Sequence, residues 1–185
     1  MNVQLGHPVG EQCSRPRPVP KGEFVVVHDN GVHVVSLTFC GCETAGTYFR
    51  QLLCVCWFPA TSDKPRTAAT FCVLEHFHIL SLESKISCYD FYNALSRLSD
   101  NTGLNPPKVR LSPTFPLFVL SRLQTRYEQF LRMVRQWRHL KMLKRSGRGH
   151  DPAGVLNSKE GECAVLCPAC PQPGKNMSVS SSVPR

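Results

Sequence analysis

The cysteines are the residues of this chain whose types and spacing could do chemistry. Cys40 and Cys42 are separated by a single glycine, and Cys167 and Cys170 enclose a Pro-Ala pair. A Cys-x-x-Cys turn can present two sulfurs to one metal ion, and a Cys-x-Cys pair can do so where the middle residue allows a sharp turn, as Gly41 does. Structural zinc takes four ligands, so the two pairs predict one closed Zn2+ site made by Cys40, Cys42, Cys167 and Cys170. The alternative is two unrelated buried thiol pairs.

Four further cysteines are better explained by packing. Cys54 and Cys56 form a second Cys-x-Cys, but they lie inside an apolar run, where a small buried hydrophobe is the commoner role. Cys72 and Cys88 fall in segments with helical spacing, and we expect them to pack in the core.

The first residues bear on how the cysteines are used. The opening "MNVQLGHPVG" lacks the apolar centre of a secretory signal, and no apolar run is long enough to span a membrane. We therefore expect a reducing, intracellular compartment, in which ten cysteines are not a disulfide framework. His7 and Cys13 are metal-binding types without local partners, so a solvated tail is expected there. Cys163, four residues before Cys167, is a candidate to replace one of the four predicted ligands.

The net charge of +9 and the pI near 9.2 favour an acidic partner, of which nucleic acid is the usual one. The positive charge is densest in "RQWRHLKMLKRSGRGH". DNA phosphate contacts are predicted from Arg132, Arg135, Arg138, Lys141, Lys144, Arg145 and Arg148. The alternative is a solvated amphipathic helix. A nuclear location is expected, with no membrane partner and no small-molecule substrate.

Signatures of enzymes are weak in this sequence. It contains no glycine-rich phosphate loop with a lysine, no nucleophile elbow and no clear carboxylate pair. The Cys-x-x-Cys lacks the βαβ setting of a redox enzyme. We therefore predict that the chain is not an enzyme.

The elements that must position these residues begin with strands. Two β-rich runs flank "DNG", a hairpin signal in which Asn30 and Gly31 tolerate positive φ. In the second run Val35, Leu37 and Phe39 alternate with polar residues, so one face should be buried. The pair Cys40 and Cys42 therefore follows a strand as it leaves a sheet.

Helices are predicted for the rest of the folded chain. "TYFRQLLCVCWF" is a short helix or a continuing strand, ended by Pro59, and "TAATFCVLEHFHIL" has helical spacing. A further helix begins with Ser87 and Asp90 as a capping box and stops at Gly103. The clearest helix, "TRYEQFLRMVRQWRHLKMLKR", carries an apolar stripe. The predicted fold class is α+β, with a small β-hairpin or sheet, about three helices and a structural zinc site.

Longer motifs carry a family resemblance. The stretches "NGVHVVSLTFCGCE", "DFYNAL", "RYEQFLRMVRQWRHLKMLKRSGRGHDP" and "KEGECAVLCPACPQPGKN" resemble the CxC-type cysteine-cluster domain associated with Kyakuja-Dileera-Zisupton (KDZ) transposases, abundant in mushroom-forming fungi. The resemblance covers most of residues 5–176. It implies a zinc-chelating region that precedes an RNase H-like transposase domain, and it matches Cys40, Cys42, Cys167 and Cys170 to the family's cysteine motifs.

The resemblance also divides the chain into segments with different expected structure. Residues 1–22 are expected to be an extended lead-in left from an upstream cysteine cluster, with His7 and Cys13 as candidate remnants of that cluster. Residues 23–176 are expected to be the cysteine-cluster domain, and residues 177–185 a disordered tail. The apolar segment 109–124 interrupts the family pattern and is explained as a retained intron, with a loop insertion as the rival. The expected function is a non-catalytic, zinc-binding module from a truncated transposase that contacts DNA. The alternatives are a protein-interaction module for an acidic partner and a transposon remnant without function.

Overall fold

The computed structural model describes residues 2–8, 10–19, 23–43, 45–100, 120–164, 167 and 169–172. The chain divides into two compact units, Met1–Arg138 and His139–Arg185. The strands are β1 (Asn2–Gln4), β2 (Pro16–Pro18), β3 (Phe24–His28), β4 (Gly31–Cys40), β5 (Trp57–Pro59) and β6 (Thr67–Thr70). The helices are α1 (Tyr48–Cys54), α2 (Phe71–Glu83), α3 (Cys88–Ser99) and α4 (Leu120–Arg145), and two short 3-10 turns follow at Arg148–His150 and Val155–Asn157. This is the predicted α+β class.

The first unit is built on a mixed sheet with β4 as its longest strand. The strand order is β1-β4-β3-β6-β5, and β2 also pairs with β4. β1 runs parallel to β4 and β3 parallel to β6, whereas the pairs β2–β4, β3–β4 and β5–β6 are antiparallel. Because both β1 and β2 pair with the last residues of β4, they bring the lead-in to the point where β4 leaves the sheet.

The predicted hairpin is confirmed. β3 and β4 pair from Phe24 opposite Val35 to His28 opposite Gly31, with Asp29 and Asn30 forming the turn. Gly31 has a φ of 140°, which side chains rarely tolerate. The hairpin is therefore built on the glycine of the "DNG" signal.

Gly31 gives a test of this hairpin. A Cβ at Gly31 would meet Ser99 Oγ, so Gly31→Ala adds to the backbone strain the displacement of a hydroxyl that accepts a hydrogen bond from the Val32 amide. We expect a loss of about 1–3 kcal/mol in the free energy of unfolding, measured by urea titration. Gly10→Ala is the control, because Gly10 also has a positive φ but has no neighbouring atom within 4 Å of a built Cβ. Equal losses in the two variants would contradict this displacement.

Both faces of β3 are buried, which explains its unbroken run of apolar residues. Val25 and Val27 belong to a core cluster with α2, α3 and α4, in which Phe77, Phe91 and Phe130 meet. The alternate residues of β3 face a second cluster that α1 and the lead-in complete. That cluster comprises Leu5, Val19, Phe24, Val26, Leu37, Phe39, Leu52 and Ala68.

Helices α1, α2 and α3 begin at hydroxyl caps. Ser87 accepts a hydrogen bond from the Asp90 amide at 3.1 Å and donates one to the Asp90 carboxylate at 2.6 Å, which confirms the predicted capping pair. Thr70 caps α2 and Thr47 caps α1 in the same way, each accepting from an amide three residues on. The stretch for which helix and strand were both possible contains both, α1 and then β5.

α4 starts at Leu120, five residues before the predicted start. Its predicted apolar stripe packs inward, because Phe130 and Val134 are buried and Trp137 is half-buried against the larger cluster. Residues 101–119 lie outside the described part of the chain. So do the predicted stop at Gly103, most of the predicted insertion 109–124 and the predicted tail 177–185. None of the described helices has the length and apolar character needed to cross a membrane.

Candidate metal centre

Two of the candidate ligands lie at the end of β4. Cys40 is its last residue, the chain turns at Gly41, and Cys42 follows. β1 pairs with β4 in parallel, and the chain leaving β1 passes directly over Cys40. At Gly6 a Cβ would lie 2.5 Å from the Cys40 Cβ, so only glycine allows this approach. The next residue is His7, which β1 thereby places beside the end of β4.

The fourth candidate ligand, Cys13, is positioned by β2. Pro16 pairs with Cys40, and the Gly41 amide donates a hydrogen bond to the Arg15 carbonyl at 2.9 Å. This pairing holds Cys13, three residues before β2, against the thiols of Cys40 and Cys42. Gly41 is needed here too, since a Cβ would lie 2.8 Å from the Arg15 carbonyl oxygen.

The four side chains form one cluster. Their ligand atoms, the Sγ of Cys13, Cys40 and Cys42 and a ring nitrogen of His7, all lie within 4.8 Å of one another. Cys13 Sγ is 3.6 Å from both Cys40 Sγ and Cys42 Sγ, and His7 Nε2 is 3.1 Å from Cys40 Sγ and 3.7 Å from Cys42 Sγ. All three cysteines are free thiols. A donor set of one imidazole and three thiols can hold a metal ion.

The surroundings of Cys42 favour the thiolate form of its side chain. A hydrogen bond from the Ser14 hydroxyl, 3.3 Å away, is the largest influence on the pKa of Cys42, and contacts with Cys40 and His7 act in the same direction. Together they lower that pKa to about 6. Cys42 is therefore mostly ionised at neutral pH, which is the form that binds metals.

Cys40 is shifted in the other direction. The Cys42 amide, 3.4 Å from Cys40 Sγ, favours the thiolate, but burial and the neighbouring thiols of Cys42 and Cys13 together outweigh it and raise the pKa of Cys40. Three thiolates packed this closely would repel one another. A cation at their centre removes that repulsion.

The side chain of Gln51 holds the backbone at Cys40. Its Oε1 accepts from the Cys40 amide at 2.9 Å, and its Nε2 donates to the Cys40 carbonyl at 2.9 Å and to the Gly46 carbonyl at 2.8 Å. Gln51 lies on α1 and is only 5% exposed. A Glu11 carboxylate oxygen lies 3.9 Å from Nδ1 of His7, another residue of the cluster.

The structure places Cys40 and Cys42 together, as the sequence predicted. The other two residues of the cluster are His7 and Cys13. The expectation of a solvated tail for these two residues is wrong, because β1 and β2 pair with β4 and Cys13 becomes buried. Two ligand-type residues six positions apart, ahead of a Cys-x-Cys, were the available sequence signal. The four-ligand set does not include Cys167 and Cys170.

Cys167 and Cys170 belong to the second unit. Both are exposed, and the Cys170 amide donates to the Cys167 carbonyl at 3.3 Å. A hydrogen bond from Cys170 and the amides of Ala169 and Cys170 lower the pKa of Cys167. Their sharing of an ion with Cys40 and Cys42 stays a prediction. Cys163, the predicted replacement ligand, lies 3.4 Å from Ser146 Oγ within the same unit.

The other cysteines are less buried than expected. Cys54, Cys56 and Cys72 are exposed, so their predicted core positions are wrong. α1 ends at Cys54, Cys56 lies in the following turn with a φ of 59°, and Cys72 lies on the outer face of α2. Cys88 does pack against the larger core cluster, and burial raises its pKa to about 11.

The predicted DNA-contacting residues differ in their surroundings. Arg132 and Arg135 are exposed on α4. Arg138 is engaged with the protein, since its guanidinium lies 5.5 Å from the centre of the Phe77 ring and donates to Ser81 Oγ at 2.7 Å.

In the second unit Lys144 and Arg145 are exposed and Lys141 is half-buried. Arg148 forms ion pairs with Asp151 at 2.8 Å and Glu162 at 2.5 Å, and its side chain is 15% exposed. Arg148 is thus already neutralised within the protein.

Comparison with known proteins identifies the cluster's family. No curated protein and no solved structure matches the chain. A family model described as a CxC2-like cysteine cluster associated with KDZ transposases matches residues 1–103, more than half of the chain. All four clustered ligands and the hairpin that carries two of them lie inside the match. The chain therefore belongs to the CxC2-like cysteine-cluster family associated with KDZ transposases.

Proposed function

We propose that this chain is a non-catalytic module, stabilised by zinc and derived from a DNA transposase, that contacts DNA phosphates through α4. The observation that carries the zinc assignment is the convergence of four ligand atoms, from His7, Cys13, Cys40 and Cys42, within 4.8 Å. The ligands come from three separate segments of the first unit, so one ion would join the lead-in to the end of β4.

Zinc is the metal that suits this donor set best. Thiolates select zinc over harder cations, and three cysteines with one histidine are a common structural zinc shell. Zinc–sulfur bonds of about 2.3 Å in a tetrahedron place the sulfurs roughly 3.8 Å apart. The 3.6 Å separations of Cys13 from Cys40 and Cys42 are close to this value.

The proposed role of the metal is structural. Four protein ligands complete the tetrahedral shell and leave no position for water or substrate. Zinc that binds only the folded cluster adds its binding free energy to the stability of the fold. This supports a scaffold that presents other surfaces rather than an enzyme that acts on a substrate.

The DNA contact is supported by charge. The net charge of +9 favours an anionic partner, and Arg132 and Arg135 lie on an exposed face of α4 with no ion pair among those described for the first unit. Lys144 and Arg145, further along the same helix, are exposed as well. We assign smaller contributions to Lys141, which is half-buried, and to Arg138 and Arg148, which are engaged with protein groups. Binding to DNA would place the protein in the nucleus.

A salt titration tests this contact. Replacing two phosphate-contacting arginines, Arg132→Ala with Arg135→Ala, should reduce the slope of log affinity against log salt for duplex DNA by about 1.8. The measurement is fluorescence anisotropy of a labelled duplex at several salt concentrations. Arg50→Ala with Arg97→Ala removes the same charge from exposed sites on α1 and α3 and is the control.

Three outcomes would contradict the DNA proposal. They are absence of duplex binding by the wild type, a flat salt dependence, or equal effects of the two double variants. Binding to polyglutamate with a higher affinity than to DNA would instead favour a module for an acidic protein partner. Binding to neither polyanion would favour a transposon remnant without function.

A further inference from the structure

The first unit contains a concave site whose described lining residues include neither a residue of the metal cluster nor a residue of α4. A cavity of about 420 Å³ opens between β2, the end of β4, the start of α1 and the loop before β6. Its size falls in the range of roughly 300–1,000 Å³ that ligand sites occupy. Neither the metal cluster nor the proposed helix contact explains this cavity.

The rim of the cavity is positively charged. Arg17, Lys64 and Arg66 line it, all three are exposed, and no carboxylate is among the described residues that line it. β2 fixes Arg17 by pairing it with Phe39. The Val25 amide donates to the Arg66 carbonyl at 3.0 Å and so fixes Arg66 beside β3. Two of the three cations are therefore held by backbone pairing rather than by flexible loops.

The floor of the cavity is aromatic. The rings of Phe39 and Tyr48 stack with centroids 4.4 Å apart and an angle of 25° between their planes. Phe39 is buried, whereas Tyr48 is half-buried and lines the cavity, so Tyr48 is the ring that a ligand can contact. Three prolines and Val19 complete an apolar lining.

A cationic rim over an aromatic floor matches one class of ligand. Phosphates satisfy the cations, and an unpaired base can stack on an aromatic ring, whatever its sequence. In a duplex the base faces are covered by their neighbours, so the floor would remain unused. We propose that this cavity, the Arg17–Tyr48–Arg66 groove, binds a segment of single-stranded nucleic acid. The proposal shares the nucleic-acid partner of the proposed function but depends on different residues.

Two pairs of variants test the groove. The probe is a labelled oligothymidylate of about ten nucleotides, followed by anisotropy. Lys64→Ala with Arg66→Ala should lower the salt slope for this strand by about 1.4, while Arg50→Ala with Arg97→Ala should leave it unchanged. Tyr48→Leu should weaken binding about tenfold through loss of stacking. Tyr48→Phe keeps the ring and should keep the affinity.

The outcomes separate this proposal from the helix proposal. The Arg132→Ala/Arg135→Ala variant should retain oligothymidylate binding but lose duplex affinity, and the Lys64→Ala/Arg66→Ala variant should do the reverse. Thermal melting of each variant verifies folding. The groove proposal is overturned if the wild type does not bind the strand at low salt, if Tyr48→Leu binds like Tyr48→Phe, or if polyglutamate displaces the strand as well as unlabelled oligothymidylate does.

Discussion

Cys13→Ser should abolish high-affinity zinc binding by this protein. Cys13 is the proposed ligand from the side of β2, and its sulfur lies 3.6 Å from the sulfurs of Cys40 and Cys42. A serine hydroxyl is a poor zinc ligand. Loss of a group that only hydrogen-bonds to a metal ligand lowers metal affinity by up to roughly 100-fold. We therefore expect the loss of a direct ligand to lower the zinc affinity by more than this. A competition titration with a chromophoric chelator measures the change.

The loss of zinc should also be visible in stability. Structural zinc in small domains contributes apparent binding free energies of about 10–16 kcal/mol at neutral pH. Chelation should therefore lower the melting temperature of the wild type steeply and that of Cys13→Ser little. Cys54→Ser is the matched control, because Cys54 is an exposed thiol outside the cluster. Wild-type zinc affinity in Cys13→Ser, or an equal loss in Cys54→Ser, would contradict the ligand assignment.

Gln51→Leu should have the second largest effect. Leucine has a similar size but cannot make the three hydrogen bonds of Gln51, so the amide and carbonyl of Cys40 would be left without these partners in a buried site. Each unsatisfied buried group costs about 1–3 kcal/mol. We expect a loss of about 3 kcal/mol in unfolding free energy and a decrease of about 10- to 100-fold in zinc affinity.

The two measurements are urea unfolding of the zinc-free protein and chelator competition. Gln136→Leu serves as control, since it makes the same change at an exposed position on α4. If zinc affinity falls only in Gln51→Leu, Gln51 positions Cys40 for the metal. An unchanged zinc affinity in Gln51→Leu would show that Gln51 does not position Cys40 for the metal.

Local patterns predicted the hairpin and the helices because each depends on neighbouring residues. The turn at "DNG" needs only a glycine with positive φ, and Ser87 reaches an amide three residues away. The alternation of Leu37 and Phe39 with polar residues likewise predicted which face of β4 is buried. The extra residues at the start of α4 had no such signal, since the two prolines and irregular apolar residues of 109–124 favour no period.

The metal cluster could be predicted only in part. Gly41 between Cys40 and Cys42 revealed a chelating turn, but the identity of the other ligands depended on long-range pairing. β1 and β2 have three residues each and are joined by a loop, so nothing local indicates that they pair with β4. The close backbone approaches at Gly6 and at Gly41 are recognisable only once the pairing partner is known. The prediction chose Cys167 and Cys170 because the Cys-x-x-Cys spacing is a local pattern that can be read without knowing the fold.

X-ray absorption at the zinc edge measures the ligand set of the zinc-loaded chain directly. We predict three sulfurs at about 2.3 Å and one nitrogen at about 2.0 Å, with a histidine signature and one zinc per chain. The same spectrum should be obtained from the Cys167→Ser/Cys170→Ser variant. A shell of four sulfurs without histidine, lost in that variant, would show that zinc joins the two Cys pairs and would contradict the His7–Cys13–Cys40–Cys42 site.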